Sequence, residues 1–67
     1  MNVIVNNKIV ELPDASGITA LLEQLKLPSP QGIAIAVNEQ VVPKSEWHGC
    51  VLKHNDQILL IRATQGG

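Results

Sequence analysis

The sequence predicts an α+β domain, a mixed sheet of four to five strands packed on one main α-helix, with one further short helical turn. Three observations lead there. Short β-branched segments recur between clusters of Asn, Asp, Pro and Gly. Only one segment carries apolar residues at helical spacing, and 67 residues leave room for a single small core.

Asn2 to Val5 alternates polar and β-branched residues, and Lys8 to Leu12 resumes the apolar character after Asn6-Asn7. Asparagine tolerates the left-handed backbone, so this reads as a tight hairpin. Pro13 to Gly17 is a turn cluster in which Ser16 or Asp14 is expected to cap a helix beginning near Gly17. Ile18, Leu21, Leu22 and Leu25 then fall at i, i+3, i+4 and i+7, with Glu23, Gln24 and Lys26 turned the other way. Leu27 to Gly32 contains Pro28 and Pro30 and reads as a connecting loop. Ile33 to Val37 alternates large and small apolar residues, which suits a central strand with one face on the helix and a flatter opposite face.

Asn38-Glu39 turns the chain into the short extended piece Gln40-Val41-Val42, which Pro43 ends and marks as an edge. Lys44 to Trp47 has residues for one helical turn, closed by Gly49 before Val51 and Leu52. Asn55-Asp56 supplies the last turn. Gln57 to Ala63 is the most apolar strand, and Thr64-Gln65-Gly66-Gly67 leaves it as a polar tail. The expected organisation is therefore a folded body over 1–63 and an arm over 64–67.

One main helix covers one face of such a sheet, yet Ile58-Leu59-Leu60-Ile61 places apolar side chains on both faces of the last strand. Either Ile58 and Leu60 point inward or Leu59 and Ile61 do, and the alternation that puts Arg62 in phase with Leu60 favours the second. Whichever pair is exposed forms an apolar patch that reads as a partner surface or a dimer contact.

Composition removes several function classes. Five Lys and Arg against six Asp and Glu, with no basic block, give no footprint for nucleic acid or an acidic membrane. A single cysteine, Cys50, permits no internal disulfide, and the absence of a basic, apolar leader pattern fits a cytoplasmic protein. A domain of this size buries only about 60% of its unfolded surface and has little structure to spare for an enzyme cleft. His48, Cys50 and His54 lack the second ligand pair of a structural zinc site and the pocket of an activated thiol, and read as two solvated histidines and a packed thiol. No phosphate-cradling glycine loop occurs, and the six carboxylates are scattered.

What remains is Gly66-Gly67 at the end of the sequence, which chance would supply in about half a per cent of chains. The pair reads either as a frayed or truncated end or, since two residues without Cβ make a thin arm, as a segment able to enter a narrow channel and present a carboxylate to another protein's active site. Fully extended, Thr64 to Gly67 reaches about 13 Å.

The order of elements with a terminal Gly-Gly resembles the β-grasp fold of ubiquitin-like sulfur carriers over the whole length. Leu21 to Leu25, Ala36 to Trp47 with its Val-Pro-Lys-x-x-Trp segment, Asp56 to Leu60 and Gly66-Gly67 are similar to the ThiS family of thiamine biosynthesis. The resemblance implies a sulfur carrier, not an enzyme, whose Gly67 carboxylate is adenylated by a ThiF-type enzyme using ATP and magnesium. A cysteine desulfurase relay would then supply sulfur for a thiocarboxylate, and ThiG, thiazole synthase, would accept it. It also implies tail threading by Thr64, Gln65 and Gly66, docking through Leu59, Ile61 and Arg62, Ile58 and Leu60 inward, and no bound cofactor or metal. Asn55 stands where the family often has Gly, which puts only that turn's geometry in question. Alternatives are the small subunit of molybdopterin synthase, typically longer and without the Val-Pro-Lys-x-x-Trp segment, a ubiquitin-like covalent modifier, and a plain interaction domain.

Overall fold

The computed structural model describes residues 1–26 and 32–62. Of the expected loop over 27–32, residues 27–31 lie outside the described residues, as do the end of the last strand at Ala63 and the expected arm over 64–67.

Asn6 and Asn7 both adopt positive φ, 50° and 70°, and close the hairpin between β1 (Asn2–Val5) and β2 (Lys8–Glu11). The predicted apolar stripe forms α1 (Ile18–Gln24), with Ile18, Leu21 and Leu22 buried and Leu25 half-buried at its C-terminal cap. The predicted side-chain cap is absent. The Ser16 hydroxyl donates to the Pro13 carbonyl instead, and Asp14 lies 3.2 Å from the Met1 amino group. Backbone replaces the cap: Ile18 N–H donates to the Cys50 carbonyl at 3.3 Å, and Leu52 N–H to the Ser16 carbonyl at 2.8 Å. Gly17 permits that approach, since a Cβ there would stand 3.0 Å from the Cys50 oxygen.

β3 (Ile33–Val37) and β4 (Gln40–Val42) form a second hairpin through Asn38 and Glu39, again at positive φ, 51° and 71°. Pro43 then caps a 3-10 helix, Lys44–Gly49. It is longer than the single predicted turn, because the tighter 3-10 geometry fits two turns into six residues. Trp47 from this helix is buried, and its indole N–H donates to the Val42 carbonyl at 2.9 Å. Asn55 takes φ 69°, so the last turn uses the left-handed conformation without a glycine.

β5 (Gln57–Arg62) inserts between the two hairpins, giving the sheet order β2-β1-β5-β3-β4. It runs parallel to β1 and antiparallel to β3, so the sheet is mixed, and β4 with its terminal proline is an edge. One face carries α1 and the 3-10 helix over a core of Val3, Val5, Ile18, Leu21, Ile35, Trp47, Leu52 and Ile58. This is the β-grasp arrangement. Among the described residues, no helix is long and apolar enough to cross a membrane.

Candidate functional site

β5 is the middle strand of the sheet and the last element before residues 63–67 in the sequence, and its two faces differ in what they meet. Ile58 is buried and Leu60 half-buried, whereas Leu59 and Ile61 are 51% and 54% exposed on the helix-free face. The phase argument from Arg62 is thereby corrected. Arg62 does share the helix side with Leu60, but it pairs with Ile33 at the margin of the sheet, where the core thins and an Arg side chain reaches water.

Neighbouring strands extend the open face. Leu59 pairs with Ala36, which pairs in turn with Val41, and Ile61 pairs with Ala34. The small alanines leave Leu59 and Ile61 standing proud. On the other flank, Ile4 pairs with Ile9, and both Ile9 and Val41 are about three-quarters exposed. Sequence reasoning had named Leu59 and Ile61 but missed Ile9 and Val41. The signal was the large-small alternation of β3, whose flat side forms the floor between them.

The remaining candidates are not brought together. His48 is exposed on the 3-10 helix, Cys50 is half-buried beside Gly17, and the His54 Nδ1 accepts the Asn2 N–H at 3.0 Å. No group of three His, Cys, Asp or Glu side chains among the described residues is arranged to hold a metal. Asp56 is buried, but its carboxylate is occupied by structure. It accepts the Lys53 N–H at 2.7 Å and the Asn38 side-chain N–H at 2.9 Å. Thus the described residues offer an open apolar face centred on Leu59 and Ile61 of β5 and no assembled acid–base pair. Thr64, Gln65, Gly66 and Gly67 lie outside the described residues.

The ThiS family model matches residues 1–67. The chain belongs to the ThiS family. Sulfur carrier protein ThiS of Escherichia coli (strain K12) is 33% identical over 67 residues, covering 100% of both chains. The crystal structure of the thiamine biosynthesis protein ThiS from Geobacter metallireducens superposes with a TM-score of 0.84 at 23% identity, covering all of both chains, and agrees in fold. A solution NMR structure of a thiamine biosynthesis protein from the same organism gives 0.80 at 25% identity, covering all of this chain and 88% of that one. ThiS proteins are the small sulfur carriers of thiamine biosynthesis, not catalysts. The resemblance carried by the Val-Pro-Lys-x-x-Trp segment and the terminal glycines is therefore sound.

Proposed function

We propose that this chain carries sulfur as a thiocarboxylate on Gly67, with residues 1–63 as a docking body and 64–67 as the reactive arm. A carboxylate is a poor acyl electrophile. In the active site of a ThiF-type enzyme, a Gly67 carboxylate oxygen attacks the α-phosphorus of magnesium-bound ATP and pyrophosphate leaves. The terminal sulfur of a persulfide relayed from a cysteine desulfurase then displaces AMP from the acyl adenylate to give an acyl disulfide. A second thiol attacks the persulfide's inner sulfur, releasing the Gly67 thiocarboxylate and leaving a disulfide between the two thiols. The thiocarboxylate delivers that sulfur to the thiazole synthase ThiG. The chemistry belongs to the cytoplasm and to protein partners, not to nucleic acid or a membrane.

The chain's own part is shape. Gly66 and Gly67 carry no side chains to obstruct a narrow channel, and Thr64 and Gln65 span the distance from the body. Leu59 and Ile61 offer apolar area to the partner, and Arg62 adds a charge where the arm begins. The observation that carries the reading is the match to a sulfur carrier protein over the whole of both chains. The open apolar face on the strand that leads into the arm supports it.

Deleting Gly67 separates body from arm. The truncated chain is expected to keep its circular dichroism, to accept no sulfur, and to compete with the full chain for the activating enzyme. Normal loading of the truncated chain would refute the reading, and a folded chain that fails to compete would refute docking by the body.

A further inference from the structure

β1 ends too early to hold the whole of β5. Its pairing covers Ile4 with Gln57 and Val5 with Ile58, and the Asn6 N–H donates to the Ile58 carbonyl at 3.0 Å. The chain then reverses through Asn6 and Asn7 into β2. Leu60 lies two residues beyond Ile58, so its N–H and C=O point to the same flank and meet no backbone of β1 there. The Asn6 carboxamide takes both. Its Oδ1 accepts the Leu60 N–H at 2.9 Å, and its Nδ2 donates to the Leu60 carbonyl at 3.0 Å. One turn side chain thus stands in for the missing residue of a neighbouring strand.

We infer that Asn6 is a positioning residue for the reactive arm: it clamps β5 as far as Leu60, so that the arm departs from a defined place on the docked body. The inference rests on the reading of Gly67 as the reacting group. β3 holds one flank of β5 as far as Arg62, so without the clamp the far end of β5 is secured on that flank alone and frays more readily. Each backbone residue released and then ordered again in a partner's channel costs about a factor of ten in the population able to react. Asn38 is the natural comparison. It occupies the same position of a matching turn, but its carboxamide accepts the Gln57 N–H at 3.0 Å and donates to Asp56, at the opposite end of β5. Of these two, only Asn6 holds the end from which the arm leaves.

Glycine preserves the left-handed backbone while deleting the carboxamide, so Asn6→Gly and Asn38→Gly form a matched pair. Two readings are taken on the full chain: amide hydrogen exchange at Leu60, and steady-state sulfur loading with ATP, a ThiF-type enzyme and a sulfur donor. Loss of two hydrogen bonds is expected to accelerate Leu60 exchange about ten-fold in Asn6→Gly and not in Asn38→Gly. Loading kcat is expected to fall about ten-fold in Asn6→Gly with KM within about two-fold, because the docking face is untouched. Asn38→Gly should lose stability and keep its kcat. Asn6→Asp retains the acceptor, loses the donor and should fall between; it carries the same test if the glycine variant does not fold. Equal Leu60 exchange in the two glycine variants, unchanged kcat in Asn6→Gly, or equal loss of kcat in both would overturn the assignment. A wild-type chain that takes no sulfur would instead overturn the Gly67 reading on which the assignment stands.

Discussion

The two ends of β5 are built alike and left in different states. At its start, Gln57 and Ile58 have strands on both flanks, Asn38 bridges to Asp56, and Ile58 lies in the core. At its end, Leu60 to Arg62 keep β3 on one flank, and on the other the described contact is the side chain of Asn6. Both anchoring asparagines open turns of nearly the same geometry, φ 50° and 70° against 51° and 71°. The same local chemistry serves stability at one end and, in our reading, direction at the other. The proposed mechanism benefits from that asymmetry, because it requires the body to stay folded while residues 64–67 enter another protein.

The contrast breaks first at Asp56. Removing its carboxylate with Asp56→Ala leaves the Lys53 amide and the Asn38 carboxamide without their acceptor. This is expected to cost about 2–3 kcal/mol, read from urea unfolding by the fluorescence of buried Trp47. At the other end, Leu59→Asp with Ile61→Asp should change stability by less than about 1 kcal/mol, since both positions already face water. Their binding to the activating enzyme should weaken by roughly thirty-fold, about 2 kcal/mol, in a calorimetric titration. A double variant unfolded by circular dichroism would reverse the assignment of faces.

The turns sharpen the comparison on a smaller scale. Glu39 holds φ 71° with a side chain poorly suited to it, whereas Asn7 holds φ 70° with one that tolerates it. Glu39→Gly is therefore expected to stabilise the domain by about 1 kcal/mol and Asn7→Gly by only a few tenths, compared through their urea midpoints. Equal gains would mean that the residue preference does not decide these turns.

Much of the fold was legible because its determinants are local. Asn6-Asn7 and Asn38-Glu39 mark hairpins, Ile18, Leu21, Leu22 and Leu25 mark one helix face, and Pro43 marks an edge. The errors arose where distant backbone decides. The start of α1 is satisfied by the Cys50 carbonyl rather than by Ser16 or Asp14, and no spacing in the sequence announces that approach. Arg62 misled the facing of β5 because its phase is correct but its position lies at the margin of the core. The exposed apolar face was half legible, since Leu59 and Ile61 stand in one strand while Val41 and Ile9 join them only through sheet register. Asn6 was read as a turn former alone. Its clamp on Leu60 spans 54 residues of sequence and becomes visible only once β5 lies beside β1.

The most direct measurement is C-terminal fragment mass spectrometry of the full chain after incubation with ATP, a ThiF-type enzyme and a sulfur donor. Localisation matters, because replacing oxygen by sulfur changes the mass almost as oxidation of Met1 or Cys50 would. A carrier of this design shows one oxygen replaced by sulfur in the fragment ending at Gly67 and none elsewhere. An unmodified Gly67 in the presence of an enzyme that loads another ThiS protein would contradict it.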